Sequence, residues 1–145
     1  SIESDTAALH ELVAAMVAAV PGIHCLRDPT RGGLGCALNE IAQQAGVGMQ
    51  LREAAIPVHE PVRALCEFLG LDPLYVANEG KLLAICPAEF ADTLLAVMHG
   101  HSLGREAAII GEVVADPHCF VEMATVFGGR RLVDWLSGEQ LPRIC

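Results

Sequence analysis

The chain has 145 residues, of which 52% are hydrophobic and only 4% aromatic, and its formal net charge is -9. This length and composition are typical of one compact domain whose core consists of aliphatic side chains. The negative charge, and the absence of a basic stripe among the nine Lys and Arg residues, argue against binding to nucleic acid.

The spacing of apolar residues predicts an alternation of helices and strands. In chain order, the predicted elements are a helix over 6–20, a strand over 23–26, a helix marked by Leu34, Leu38, Ile41 and Ala45, an extended segment over 47–51, a helix over 57–69, a hairpin of 74–77 with 81–86, a helix over 87–99, strands over 108–114 and 119–124, and an amphipathic end over 132–136. We expect a layered α+β fold with packed helices and a mixed, largely antiparallel sheet. The domain is expected to cover 1–136, followed by a flexible tail over 137–145.

The cysteines are scattered and mostly lie in apolar segments, which favours reduced thiols over a disulfide framework. Four of them are predicted to be packing residues: Cys25, Cys36, Cys66 and Cys86. The close pairs His99 with His101 and His118 with Cys119 lack the CxxC spacing of a structural zinc site, so we predict no metal.

The longest apolar run, 12–20, is too short to cross a bilayer. Glu3 and Asp5 stand where a secretory leader would carry positive charge. We therefore expect a cytoplasmic protein with no membrane partner.

The first polar segment of interest lies in the predicted turn from the first strand to the second helix. There the backbone N–H groups and the helix dipole favour an anion such as a phosphate. Its candidate residues are Arg27, Asp28, Thr30, Arg31, Gly32 and Gly33. A purely structural interpretation stays open, in which Asp28 or Thr30 caps the helix and the glycines permit close packing.

The second segment is Asn78-Glu79-Gly80-Lys81, at the predicted hairpin connection. A carboxylate at such a position acts as a base when a bound substrate desolvates it and raises its pKa. The alternative is an ordinary solvated turn, because Asn and Gly are common turn formers.

The last residue, Cys145, is a third candidate. A thiol at a chain end is able to enter one pocket and then meet another protein, since a short tether sets its effective concentration. An incidental terminal cysteine remains the alternative.

These three features together resemble the C-terminal half of the HypE family of hydrogenase maturation proteins. The resemblance covers nearly the whole chain and rests on the strings HCLRDPTRGGLGCALNEIA, DPLYVANEGKLLAICP and the ending LPRIC. That family is part of a superfamily with aminoimidazole ribonucleotide synthetase and selenophosphate synthetase. The terminal PRIC is the discriminating element, because the other members do not use a terminal cysteine as a carrier.

The resemblance implies an ATP-dependent dehydration at Cys145. A carbamoyl group on the sulfur is converted to a thiocyanate, which supplies the cyanide ligand of the iron in NiFe hydrogenase. Glu79 corresponds to the glutamate of the ANEG segment and is implied to be the base. Four side chains of the first segment are implied to shape the phosphate side or receive the tail: Arg27, Asp28, Thr30 and Arg31.

The implied partners are the carbamoyltransferase HypF and the HypC–HypD complex, and the implied cofactors are ATP and Mg²⁺. An N-terminal domain with no counterpart in this chain holds most of their ligands and mediates homodimerisation. We therefore expect a fragment that binds no cofactor and is inactive alone.

Two alternatives belong to other functional classes. One is another ATP-dependent synthetase of the same superfamily, for which Cys145 has no role. The other is a noncatalytic interaction module with an exposed terminal cysteine.

Overall fold

The computed structural model describes residues 5–27, 32–75 and 82–134. The described helices and strands, in order, are α1 (Asp5–Ala19), β1 (Cys25–Arg27), α2 (Gly33–Ala45), β2 (Gly48–Arg52), α3 (Glu60–Leu69), β3 (Leu83–Ile85), α4 (Ala91–His99), β4 (Gly111–Val114), β5 (Val121–Ala124) and β6 (Arg130–Leu132). Short 3-10 helices cover Glu53–Ala55, Pro73–Tyr75 and Ala88–Phe90. These elements form two compact units.

The first unit contains α1, β1, β3 and α4. Leu12, Met16 and Val20 recur every four residues on one side of α1 and its end, and they are buried against Leu94 of α4. Such spacing places side chains on one face of a helix, so this cluster is the core of the unit. β1 and β3 pair antiparallel beside it.

The second unit is built on a four-stranded sheet in the order β4-β2-β5-β6. β2 is antiparallel to β4 and parallel to β5, and β5 is antiparallel to β6. Met49 pairs with Val121 and Leu51 with Met123, and all four side chains are buried. Since alternate residues of a strand share a face, these side chains form one apolar surface, and α2 packs on both strands. The expected mixed, largely antiparallel α+β fold is confirmed.

Helix α3 is strongly amphipathic, but little of its apolar side is covered by the described residues. Only Cys66 of this helix is buried, whereas Leu65, Phe68 and Leu69 are exposed. The spacing of the apolar residues thus predicted the helix correctly. It did not predict which of these residues are buried in the fold.

The predicted hairpin of 74–77 with 81–86 is wrong. β3 pairs with β1, and Pro73–Tyr75 form a 3-10 helix instead of a strand. The carboxylate of Asp72 accepts a hydrogen bond from the Leu74 N–H at 3.0 Å, an Asx-type turn that starts this helix. Leu74 thus lies in a 3-10 helix with a local side-chain bond and not in the expected strand.

The five cysteines in the described ranges are free thiols. Cys66 is buried as predicted, whereas Cys25, Cys36 and Cys86 are half-buried. Within the described ranges, no helix combines the length and apolarity that a membrane span requires.

Candidate functional site

The two polar segments singled out in the sequence are attached to the same end of the two-stranded sheet. Arg27, the last residue of β1, pairs with Leu83, the first residue of β3. Because the strands are antiparallel, the chain leaves β1 for 28–31 at the end where it enters β3 from 76–81. The two segments, about fifty residues apart in sequence, are thus connected to the same end of the β1–β3 sheet.

The first segment leads into helix α2 through two glycines in the left-handed region. Gly32 has φ 69° and Gly33 has φ 68°. Gly32 is the N-cap residue and offers no side chain to the first backbone N–H groups of the helix. Those donors and the helix dipole suit an anionic oxygen. The structural alternative with Asp28 or Thr30 in the cap position is wrong, because the cap is Gly32.

Gly32 also lies directly over Cys36. A Cβ built on Gly32 would stand 2.7 Å from the Cys36 Cβ, a separation that real Cβ atoms essentially never show. Both the backbone conformation and the space below it require glycine here. Gly32 therefore lets the chain enter α2 without a side chain over its first turn.

Replacing Gly32 with alanine is expected to lower the free energy of unfolding by about 2–4 kcal/mol, through left-handed strain and overpacking. Gly46→Ala is a matched control, since Gly46 has φ 70° but nothing within 4 Å of its added Cβ. It should cost only about 1–2 kcal/mol. Denaturant unfolding measures both values. Equal costs for the two variants would show that Cys36 imposes no constraint on Gly32.

Of the predicted site residues, the structure describes Arg27, Gly32 and Gly33. Arg27 is half-buried at the end of β1. The other predicted residues lie outside the described ranges, and their roles stay predictions: Asp28, Thr30, Arg31, Glu79 and Cys145.

One buried polar residue, Asn39, was missed by the sequence analysis. Its side chain is 5% exposed, and its amide nitrogen donates hydrogen bonds to the carbonyl oxygens of Gly35 and Val133, each at 2.9 Å. A polar residue between the apolar positions Leu38 and Ile41 was the available signal, but no pattern pointed to a partner 94 residues away.

The thiol of Cys86 is a packing group, as the sequence predicted. It packs against the core cluster of the first unit, and burial raises its pKa above the usual value. Because the thiolate is the reactive form, this shift lowers the reactivity of Cys86 at neutral pH.

The histidine pair at the C-terminal end of α4, His99 and His101, is engaged in structural contacts. The Nε2 of His99 lies 2.7 Å from the carbonyl oxygen of Ala107, and the Nε2 of His101 lies 3.9 Å from a carboxylate oxygen of Glu11. In the part of the chain that the structure describes, no group of three or more His, Cys, Asp or Glu residues is placed to hold a metal ion.

Comparison with known proteins places this geometry in a family. Residues 1–124 match the model of the C-terminal domain of AIR synthase related proteins. The chain is 76% identical over 144 residues to a protein of Azotobacter vinelandii named carbamoyl dehydratase HypE, covering 99% of this chain and 42% of that protein. It therefore spans about two fifths of the length of this relative.

Two solved structures extend the similarity to the fold. A crystal structure of the hydrogenase maturation protein HypE in complex with ATP superposes with a TM-score of 0.85 at 50% identity, over 93% of this chain and 42% of that one. A crystal structure of a HypE–HypF complex gives a TM-score of 0.82 at 40% identity, over 87% and 41%.

Proposed function

The chain belongs to the family of AIR synthase related C-terminal domains, and we propose that it is the C-terminal part of an ATP-dependent carbamoyl dehydratase of the HypE type. The observation that carries this proposal is the 76% identity, over 99% of the chain, to a protein of that name. The ending LPRIC supports it, because it supplies the terminal thiol that the proposed chemistry needs.

In the proposed reaction, the Cys145 sulfur carries a carbamoyl group as a thiocarboxamide. ATP transfers its terminal phosphoryl group to the carbonyl oxygen, while one proton leaves the nitrogen. The carbon–oxygen bond then breaks, phosphate departs with the bonding electrons, and loss of the second proton leaves a thiocyanate. The net result is removal of water coupled to cleavage of ATP to ADP and phosphate. A phosphoryl group on oxygen is thus what makes the oxygen a leaving group.

We assign the proton-accepting role to Glu79, because this step needs a carboxylate near the carbamoyl nitrogen. The glycine-opened first turn of α2 is our candidate for contact with phosphate oxygens. Arg27, Asp28, Thr30 and Arg31 are proposed to shape this side of the site or to receive the tail. The attachment of both segments to one end of the β1–β3 sheet supports their acting together.

The thiol of Cys145 must meet several other proteins if it is a carrier, and these proteins are the proposed partners. HypF delivers the carbamoyl group, and the similarity to the HypE chain of a HypE–HypF complex supports this pairing. The HypC–HypD complex holds the iron that receives the cyanide. The remaining part of the enzyme is proposed to bind most of the ATP and Mg²⁺ and to form a homodimer in the cytoplasm, so that the isolated 145-residue chain is inactive.

A noncatalytic interaction module is the second candidate, favoured by the exposed apolar side of α3. The two functions are separated by deleting 137–145. Deletion abolishes the chemistry while preserving partner binding if the tail is the carrier. If the protein is a noncatalytic interaction module, it has no dehydration activity, and deleting 137–145 changes none.

The test of the proposed reaction is phosphate release by the whole enzyme that contains this chain. With HypF, carbamoyl phosphate and ATP present, we expect the enzyme to release one phosphate from its own ATP for each carbamoyl group dehydrated, after correction for the phosphate that HypF produces. The isolated chain should release none. ATP turnover by the isolated chain, or release that does not depend on carbamoylation, would contradict the proposal.

A further inference from the structure

The described part of the chain ends at a firmly held point in the second unit. Val133 is fully buried, its N–H donates to the carbonyl oxygen of Val121 at 2.7 Å, and its own carbonyl accepts the Asn39 amide at 2.9 Å. Asp134 follows, and then the 11 residues from 135 to Cys145. Val133 is therefore the root of the C-terminal segment.

The Asn39 amide has a fixed orientation. Both of its partners are carbonyl oxygens, so the NH₂ group and not the amide oxygen must face them. The Gly35 carbonyl also accepts the helical hydrogen bond from the backbone N–H of Asn39. For the described residues, the hydrogen bond that the Val133 carbonyl accepts comes from the Asn39 side chain. Loss of the amide would leave a buried carbonyl without its donor, which is costly.

A second contact fastens the strand that leads to this root. Arg131 of β6 forms an ion pair with Asp72, and the other carboxylate oxygen of Asp72 accepts the Leu74 N–H at 3.0 Å. Asp72 thus attaches β6 to the segment after α3. Asn39 attaches Val133, the residue that follows β6, to α2. The two attachments act on residues only two positions apart in sequence.

We propose that Asn39 is a positioning residue that fixes the origin of the tether carrying Cys145. This inference rests on the proposed function. Eleven residues reach at most about 36–40 Å when fully extended, so the position of the root decides which site the thiol meets. Effective concentration falls as slack is added to a tether, and release of Val133 both lengthens the tether and moves its origin. Asn39 itself touches neither substrate nor nucleotide in this role.

The test uses the whole enzyme with Asn39→Leu, which keeps the branched side-chain skeleton and favours the helix but donates no hydrogen bond. Gln43→Leu is the matched control, an amide-to-leucine change at an exposed position of the same helix. Asp72→Asn removes the ion pair and provides a second variant if Asn39→Leu does not fold. Three quantities are measured: the single-turnover dehydration rate after carbamoylation, the dissociation constant for ATP, and amide hydrogen exchange along β6.

We expect the dehydration rate to fall by about two-fold in Asn39→Leu and in Asp72→Asn, because freeing residues 130–134 lengthens the tether and effective concentration falls roughly as the -3/2 power of tether length. Exchange in residues 130–134 should be about ten-fold faster, because β6 opens locally. ATP affinity and all properties of Gln43→Leu should match the parent enzyme. An unchanged rate despite faster exchange in β6 would overturn the inference. So would a loss of rate accompanied by a matching loss of ATP affinity, which indicates damage to the site. If Cys145 of the parent enzyme never accepts a carbamoyl group, the proposed function itself fails.

Discussion

Replacement of Cys145 by alanine is expected to abolish carbamoyl-dependent phosphate release by the whole enzyme. The proposed reaction begins with a bond between the carbamoyl carbon and this sulfur, and alanine has no atom that can form it. ATP binding should not change, because the substitution removes only a sulfur atom and most of the ATP is proposed to bind in the remaining part of the enzyme. The expected loss is complete and is measured as phosphate released per enzyme.

Cys119→Ala is the matched control for this variant. Cys119 is half-buried and lies in the loop before β5, where its sulfur is 4.0 Å from the Pro117 carbonyl oxygen. Its replacement removes a thiol without touching the proposed carrier, so activity should stay at the parent level. Activity retained by Cys145→Ala, or lost equally in both variants, would exclude the terminal thiol as the carrier.

The second large effect is expected for Glu79→Gln. This variant should accept the carbamoyl group from HypF at the parent rate, because transfer to the thiol needs no base at position 79. The following dehydration should slow by about 10²–10⁴-fold, the usual contribution of a positioned general base. Quench-flow measurement of carbamoylated and dehydrated enzyme separates the two steps.

Glu89→Gln is the control for loss of a carboxylate. Glu89 is exposed in the 3-10 helix before α4, and its neutralisation changes the net charge by the same amount. Its dehydration rate should equal that of the parent. A parent-like rate in Glu79→Gln would assign the base to another residue, and failure at the carbamoylation step would indicate a binding role.

The helices were predictable because local spacing determines them. Leu12, Met16 and Val20 lie four residues apart in sequence and on one side of α1 in the structure. The same pattern correctly placed α3, but Leu65 and Phe68 of that helix are exposed. A periodic pattern specifies that a face is apolar and does not specify what covers it.

Strand pairing was less predictable because its partners are distant in sequence. The apolar run beginning at Leu74 resembled one arm of a hairpin, yet β3 pairs with Cys25–Arg27 nearly sixty residues earlier. Leu74 instead lies in a 3-10 helix with a local bond from its N–H to Asp72, and composition does not reveal such a bond. The parallel pairing of β2 with β5 is equally non-local.

In the candidate site too, local features were predictable from the sequence and contacts between distant residues were not. The glycines of the first segment were identified by residue type, and their left-handed conformations confirm that glycine is needed there. That the chain leaves β1 at the same end of the sheet where it enters β3 depends on the β1–β3 register, which the sequence pattern did not reveal. The link from Asn39 to Val133 likewise requires the folded structure, since 94 residues separate them.

The central claim is that Cys145 carries the group being dehydrated, and the mass of the C-terminal peptide tests it most directly. Cleavage after Glu139 releases residues 140–145 from the whole enzyme after incubation with HypF, carbamoyl phosphate and ATP. We expect this peptide to gain the mass of a carbamoyl group and then to lose the mass of one water as the enzyme turns over ATP, whereas the peptide of Cys145→Ala should stay unmodified. An unmodified peptide, with HypF shown to be active, would exclude Cys145 as the carrier.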